Sequence, residues 1–119
     1  MKPITFTKQL KILSQCLKPW RPDYPGYLLT HSDHPGREFV IARGSKITDY
    51  CSGDWVHTKR WFFHDLKTGL SLDRQECMVT RRDRTEAAIA YLSRTSPEKL
   101  ETVINNTLAE RLGKLMSIS

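Results

Sequence analysis

The segment Trp55–His64, WVHTKRWFFH, is the longest strand candidate in the chain. It is rich in aromatic and β-branched residues, which favour a pleated and partly buried strand. Neighbouring side chains of a regular strand point to opposite faces, so His57 and His64 are expected on different faces unless a bulge intervenes. One face would carry Trp55, His57, Lys59, Trp61 and Phe63, and the other Val56, Thr58, Arg60, Phe62 and His64.

Further strand candidates lie on both sides of this segment, separated by turn-forming residues. The β-rich stretches are Tyr27–His31, Arg37–Arg43, Lys46–Cys51 and Leu70–Leu72, and the turns are Ser32–Gly36, Ser52–Asp54 and Asp65–Gly69. Short strands joined by short turns are typical of β-hairpins. Residues 27–80 are therefore predicted to form an antiparallel β-meander of four or five strands.

The first 18 residues are predicted to form a helix. Four apolar residues recur at steps of four, three and four, which places them on one helical stripe. They are Phe6, Leu10, Leu13 and Leu17. Pro19 would end this helix, because a proline disfavours helical geometry in the residue before it. Residues 19–26 contain three prolines and are expected to form an extended connector rather than a helix or a central strand.

The C-terminal third is predicted to form a pair of helices over residues 83–116. Asp83 and Glu86 have the spacing of a capping box at the first helix start. The stretch Ser96–Glu98 has the residue types of a second start, with serine at the cap and proline at the first helical position. The order of elements predicts a single α+β domain, residues 1–119, with the helices packed on the sheet.

Length and composition indicate a small soluble protein. The chain has 119 residues, which is typical of one domain, and 39% of them are hydrophobic. The longest apolar runs have three or four residues, far short of the roughly 20 that a membrane-spanning helix needs. No secretory signal and no membrane association are expected. Three cysteines without a C-x-x-C pair favour reduced thiols, so a cytoplasmic location is predicted.

The net charge of +6 is distributed unevenly along the chain. Residues 1–24 contribute +4 and residues 81–119 contribute +2, whereas residues 25–80 are neutral. Such basic surfaces attract phosphate polymers and acidic proteins alike, and a merely solubilising surface is the simpler alternative. The predicted contacts with nucleic acid or with an acidic partner are Lys8, Lys11, Lys18, Arg21, Lys59, Arg60, Arg74, Arg81, Arg82 and Arg84.

Aromatic residues accompany the basic ones in these segments. A sheet surface of this kind suits the stacking of bases on rings while cations hold the phosphates. The competing interpretation is that the rings belong to the core, which is the commoner place for alternating aromatic residues. The candidates for stacking or partner contact are Trp20, Tyr24, Trp55 and Trp61.

Three functions are compatible with these patterns. The first is a small non-catalytic binding module that acts on nucleic acid or on a nucleic-acid-processing complex. The second is an inhibitor or adaptor that binds another protein, such as a host or defence enzyme. The third is a small ribonuclease-like toxin, and its candidate residues are His57, Lys59 and Arg60, with Arg37 or Arg43 as charge stabilisers.

Two remaining patterns concern partners and metals. A leucine-rich stripe in the last helix belongs either to the core or to a homodimer or protein-docking contact. Its members are Leu100, Ile104, Leu108, Leu112 and Leu115. His31 and His34 lack the further paired ligands of a zinc site, so they are interpreted as turn residues. Neither a metal nor a cofactor is predicted.

Overall fold

The structure is a computed structural model that describes residues 1–9, 19–49, 51–52, 54–72 and 78–118. It consists of an antiparallel sheet followed by two helices. The strands with described bounds are β1 (Lys2–Gln9), β2 (Pro19–Leu29), β3 (Phe39–Asp49), β4 (Asp54–Asp65) and β5 (Ser71–Leu72). The helices are α1 (Arg81–Arg94) and α2 (Pro97–Ile118). Within the described ranges, no helix is long and apolar enough to cross a membrane.

Strands that are neighbours in sequence are also neighbours in the sheet, in the order β1-β2-β3-β4-β5. The long strand predicted at residues 55–64 is confirmed as β4, and β3 joins two of the predicted strands into one. The predicted meander is wrong in its extent, because the described residues form a sheet of five strands of which β1 and most of β2 precede residue 27. The sheet also begins at residue 2 and not at residue 27.

The N-terminal helix predicted for residues 1–18 is wrong. Residues 2–9 form β1, which pairs with β2 through contacts such as Phe6 opposite Tyr24, and residues 10–18 lie outside the described ranges. Ile4 and Phe6 are two positions apart, so a strand turns both to the same face, where they pack with Val40 and Tyr24. Val40 and Tyr24 are distant from β1 in the sequence, so the helix-like spacing of nearby apolar residues did not indicate that residues 2–9 form a strand.

The connector predicted for residues 19–26 is also wrong, since these residues form most of β2. In this part of β2 the described pairings run only to β1, and the pairing with β3 is confined to Tyr27–Leu29. One edge of β2 therefore carries no described ladder between Pro19 and Gly26. Prolines lack the N–H that a second ladder would require, so such a one-sided segment tolerates them.

This limited pairing divides the sheet into two ribbons. The first ribbon is β1 with residues 19–26 of β2, and the second ribbon is residues 42–49 of β3 with residues 54–62 of β4. The two ribbons diverge from the continuous part of the sheet, where Tyr27 faces Ile41 and Ile41 faces Phe63. The space between the ribbons forms the site described below.

Two apolar clusters lie on the two sides of the sheet. The larger cluster packs the sheet against the helices and consists of Leu29, Phe39, Ile41, Phe63, Leu70, Leu72, Ala88, Leu92, Leu100 and Ile104. The smaller cluster lies at the base of the ribbons and consists of Phe6, Tyr24, Val40 and Ala42. Leu100 and Ile104 of the predicted leucine stripe thus belong to the core, and Leu108 packs against it. The side chains of Leu112 and Leu115 are outside the described part.

The start of α2 was predicted correctly from the sequence, and the start of α1 was not. α1 begins at Arg81 and its cap is Thr80, whose side chain accepts a hydrogen bond from the Asp83 amide at 3.1 Å. The predicted cap at Asp83 is therefore wrong by three positions, and Asp83 instead supplies an acid to the first turn. The predicted start at Ser96 is confirmed, since its hydroxyl accepts from the Lys99 amide at 3.2 Å.

Candidate nucleic-acid interface

A cleft of about 590 Å³ lies between the two ribbons. We call it the ribbon cleft. Its first wall comes from β1 and β2 and consists of Pro3, Ile4, Thr5, Pro25, Gly26 and Tyr27. Its second wall comes from β3 and β4 and consists of Arg43, His57 and Trp61. The cleft therefore combines an apolar wall with a wall that carries an arginine, an imidazole and an indole.

Tyr24 connects the two ribbons below this cleft. Its side chain is fully buried, and its hydroxyl donates a hydrogen bond to the Arg43 carbonyl oxygen at 2.5 Å. The same hydroxyl lies 3.2 Å from Nδ1 of His57. Tyr24 of β2 thus contacts both strands of the second ribbon, through the backbone of Arg43 in β3 and the ring of His57 in β4.

The His57 ring is held by aromatic neighbours. The Trp55 ring lies 4.7 Å away with an interplanar angle of 88°, and the Tyr24 ring lies 5.8 Å away at 72°. Edge-to-face contacts of this kind favour one ring orientation. The orientation of His57 is therefore set by packing as well as by the hydrogen bond to Tyr24.

Lys8 forms a second connection between the ribbons. Its ammonium lies 4.5 Å from the centre of the Tyr24 ring, and Nζ donates a hydrogen bond to Oγ of Ser45 at 2.9 Å. Burial removes water from the charged amine and lowers the pKa of Lys8 to about 8. This lysine is therefore a poor phosphate contact, because its charge is directed into the protein.

Trp61 lies where the ribbons meet α1. Its ring centre is 6.4 Å from that of Tyr27, with an interplanar angle of 41°. The Trp61 amide donates to the Met78 carbonyl at 2.8 Å, and its own carbonyl accepts from Nε of Arg84 at 2.8 Å. These two hydrogen bonds hold the backbone of Trp61 on both sides of its Cα and place the residue next to the start of α1.

A second cleft, of about 620 Å³, adjoins the first. We call it the helix cleft, and it is lined by Met1, Tyr27, Trp61, Arg81, Arg82, Thr85 and Glu86. The Arg81 guanidinium carbon lies 4.2 Å from the centre of the Tyr27 ring, a cation–π contact. Arg82 pairs with Glu86 at 3.3 Å in an exposed contact. Tyr27 and Trp61 belong to both clefts, so the two spaces share one aromatic wall.

The structure brings some of the predicted contact residues together and separates others. Arg81, Arg82 and Trp61 line the clefts, and Lys8, Tyr24 and Trp55 lie behind the ribbon cleft. Arg84 is 1% exposed and supports Trp61 from inside, so it does not belong to the surface. Lys59 and Arg60 are exposed on β4 and are not among the described lining residues. Lys11, Lys18 and Arg74 lie outside the described residues, and so do the side chains of Trp20 and Arg21.

The alternation predicted along β4 is interrupted by a bulge. Arg43 faces Trp61 and Ser45 faces His57, so three residues of β4 lie opposite Gly44 alone. A Cβ on Gly44 would lie 2.5 Å from Oγ1 of Thr58, which shows how closely the bulge approaches β3. His57 and Trp61 line the same cleft, whereas Lys59, which lies between them in β4, is not among its described lining residues.

Of the ribonuclease candidates, His57 and Arg43 share the ribbon cleft. Arg37 lies two residues before β3 and pairs with the buried Asp65 at 3.0 Å, so its position is structural. His34 is also buried, and its Nε2 lies 3.0 Å from the Leu92 carbonyl near the end of α1. The residues that the structure describes include no group of three or more His, Cys, Asp or Glu arranged to hold a metal ion.

Tyr27 is the cleft residue that sequence reasoning missed. In the sequence it is only the first residue of a strand candidate, and nothing local distinguishes it from a core aromatic. Its role follows from the register that places it between β1 and Ile41, next to a helix that begins 54 positions later. Tyr27 could be identified from the sequence only if these long-range strand pairings were already known.

Comparisons of the chain with protein-family models, with curated proteins and with solved structures found no match.

Proposed function

We propose that the protein binds single-stranded nucleic acid along the ribbon cleft and the helix cleft. The observation that carries this proposal is the shared wall of Tyr27 and Trp61, which has Arg43 on one side and Arg81 with Arg82 on the other. Rings stack on bases and guanidinium groups pair with phosphates. Side chains suited to both kinds of contact thus lie along two clefts that share Tyr27 and Trp61.

The charge of this surface supports a polyanionic ligand. The described lining residues of the ribbon cleft include Arg43 and no acid, and those of the helix cleft include two arginines and Glu86. Arg81 is already positioned by the Tyr27 ring. A guanidinium held in place loses less conformational freedom when a phosphate arrives, which strengthens each contact. The net charge of +6 adds long-range attraction.

A single strand fits better than a duplex. The bases of a duplex cover each other's faces, so a wall of aromatic rings contacts them only where they are unstacked. The Trp61 indole is partly buried against the helix-side core and lines both clefts. Its ring therefore suits a splayed base. We infer a cytoplasmic location for this interaction, on the basis of the free-thiol pattern in the sequence.

An acidic protein is the second candidate ligand. Met1 and Val79 are 54% and 60% exposed, Met1 lines the helix cleft and Val79 immediately precedes the cap of α1. Exposed apolar side chains beside arginines are also typical of protein interfaces. Such a ligand would form a stoichiometric complex that survives nuclease treatment, whereas a nucleic-acid complex would not.

The proposal is tested by fluorescence anisotropy with a labelled single strand and with its duplex at several salt concentrations. We expect the single strand to bind more tightly, and the double substitution Arg81→Ala/Arg82→Ala to weaken binding. Each phosphate contact on a single strand contributes about 0.7 to the slope of log affinity against log salt. The double substitution is therefore expected to reduce that slope by up to about 1.4.

The matched control is Arg94→Ala/Lys99→Ala, which also removes two charges, from the last turn of α1 and the first turn of α2. Because Arg94 and Lys99 line neither cleft among the described residues, their removal is expected to leave the slope almost unchanged. Equal losses for the control and the double variant would show that only the total charge matters. Tighter binding of the duplex would contradict the stacking role of Trp61.

A further inference from the structure

We propose that His57 makes the ribbon cleft a site of RNA cleavage, in which the imidazole acts as the general base toward the ribose 2′-hydroxyl. This proposal rests on the proposed binding of single strands. It adds a substrate class, RNA rather than DNA, and a reaction, the breaking of a phosphodiester bond. The supporting observations are the setting of the imidazole, the nearby arginine and the aromatic wall.

The hydrogen bonds around Tyr24 determine which nitrogen of His57 carries the proton. The Tyr24 hydroxyl has one hydrogen, and among the described carbonyl oxygens it lies closest to that of Arg43, at 2.5 Å, to which it donates this hydrogen. The hydroxyl oxygen therefore acts as the acceptor toward Nδ1 of His57 at 3.2 Å. This assigns the hydrogen to Nδ1 and makes Nε2 the basic nitrogen.

The packing of the ring gives this imidazole a defined position. Trp55 at 4.7 Å and Tyr24 at 5.8 Å contact it edge to face, and Tyr24 is fully buried. A base held by a rigid second group is the arrangement that proton transfer requires. Tyr24 is in this respect a positioning residue, because it acts on the substrate only through His57.

Arg43 supplies the charge that the reaction needs in the same cleft. Its Nε donates to the Thr58 carbonyl of the neighbouring strand at 3.2 Å, which fixes the direction of the guanidinium while the side chain stays exposed. A guanidinium has further N–H groups for the oxygens of a phosphate. Trp61, on the same wall, offers a surface for an adjacent base.

The chemical step balances without a metal or a redox partner. Nε2 of His57 takes the proton of the 2′-hydroxyl, the 2′-oxygen forms a bond to the adjacent phosphorus, and the bond from phosphorus to the 5′-oxygen breaks. The 5′-oxygen takes a proton from a water molecule, and the hydroxide so formed takes the proton held by His57. Arg43 stabilises the negative charge on the phosphoryl oxygens during the step. The products are a 2′,3′-cyclic phosphate and a 5′-hydroxyl.

The test measures binding and cleavage on the same strands. The full-length protein is incubated with an end-labelled single-stranded RNA of mixed sequence and with DNA of the same sequence, and binding is measured in parallel by anisotropy. We expect both strands to bind and only the RNA to be cleaved, with 2′,3′-cyclic phosphate ends. His57→Ala is expected to bind RNA almost as the wild type does and to lose about 10²–10⁴-fold in cleavage rate.

The control is Lys67→Ala, which removes an exposed basic side chain in the turn after β4 and is expected to leave the rate unchanged, because Lys67 is not among the described lining residues of either cleft. His57→Asn keeps an amide near the Tyr24 hydroxyl and serves if the alanine variant unfolds. RNA that binds without being cleaved, or His57 variants that cleave like the wild type, would overturn the catalytic inference and leave the binding proposal standing. Failure to bind either strand would overturn both.

The role of Tyr24 has a readout that does not depend on activity. Long-range ¹H–¹⁵N NMR spectra distinguish the two tautomers of a histidine, and we expect the hydrogen of neutral His57 on Nδ1 in the wild type. Tyr24→Phe removes the acceptor and is expected to shift the population toward the other tautomer and to slow cleavage more than it weakens binding. A wild-type spectrum with the hydrogen on Nε2 would contradict the proposed mechanism.

Discussion

Gly26 shows at the scale of one residue why the ribbons lie where they do. A Cβ at this position would overlap Cγ1 of Val40 and would lie 3.3 Å from Cε1 of Phe6 and 3.4 Å from the Ile41 carbonyl oxygen. The hydrogen of glycine therefore permits β2 to approach the smaller core cluster at the base of the ribbon cleft. Any larger residue must displace the backbone or the valine.

The first prediction concerns this close approach. Gly26→Ala is expected to destabilise the protein by about 1–3 kcal/mol, because the added methyl group overpacks a tight contact. Gly113→Ala is the matched control, since a Cβ there meets nothing within 4 Å and α2 gains a better helix former, worth about 0.5–1 kcal/mol of stability. Urea unfolding measures both. Equal stability of Gly26→Ala and the wild type would show that the ribbons separate easily.

The candidate site was only partly predictable from individual residues. The run of arginines at the start of α1 identified Arg81 and Arg82, and the aromatic content of the long strand identified Trp61. The same reasoning could not separate Arg84 from its neighbours, although Arg84 is buried and holds the Trp61 carbonyl. Positions within one helical turn face different surroundings, and only the packing of the helix decides which of them remains exposed.

At the scale of elements, β1 is joined to the rest of the sheet by both apolar and polar contacts. Phe6 fills the smaller core cluster, and Lys8 extends across to Ser45 of β3. Because its amine is buried, Lys8 loses its proton more readily in the folded protein than in the unfolded chain, and its pKa is about 8 instead of 10.5. Between these values the unfolded chain binds more protons than the folded protein.

The second prediction follows from this difference. The cost of burying the charged amine is fully present below about pH 8 and is lost as the pH rises to about 10.5, so the stability contributed by Lys8 increases through that window. Lys8→Met removes this cost. The variant is therefore expected to gain stability relative to the wild type at pH 7, and this advantage is expected to shrink by the order of 2–3 kcal/mol toward pH 10.5.

Chemical unfolding at pH 7 and pH 10 measures the change. Lys46→Met is the control, because that side chain is exposed on β3 and its ammonium stays hydrated in both states. A stability difference for Lys8→Met that is equal at the two pH values would show that the Lys8 amine is solvated. It would also remove Lys8 as a connection between the ribbons.

The wrong prediction of a helix at the N-terminus has a physical cause at this scale. A spacing of four and three residues satisfies a helix when only local neighbours are considered. Phe6 and Ile4 satisfy a strand equally well once Tyr24 and Val40 are present on the same side. The free-energy difference between helix and strand propensities is smaller than the free energy of burying these side chains. Tertiary contacts therefore determine that residues 2–9 form a strand.

At the scale of the whole molecule, the two clefts depend on the divergence of the ribbons. The continuous part of the sheet is packed against both helices, whereas the ribbons are joined to each other by Tyr24 and Lys8. A ligand that contacts Tyr27 from one wall and Arg43 from the other would add a further connection. Binding is therefore expected to stabilise the ribbons more than the rest of the fold.

The third prediction measures this effect by amide hydrogen exchange with and without a saturating single strand. We expect slower exchange at residues 4–5, 26–27, 43, 57 and 61, which line the ribbon cleft, and little change in the turn at residues 32–36. That turn lies beyond the far ends of β2 and β3. Protection confined to the turn, or spread evenly over the sheet, would place the binding surface elsewhere.

Local sequence patterns were enough to predict the strand at residues 55–64, the turns on either side of it, the helix start at Ser96 and the excess of basic residues. These features follow from residue types and from neighbours only a few positions away, where periodicity and capping operate. The tertiary structure alone decided that residues 2–9 and 19–26 are strands, that Arg84 is buried, and that Tyr27, Arg43, His57 and Trp61 meet in one cleft. Such outcomes depend on burial between residues far apart in the chain, and local patterns carry no record of those partners.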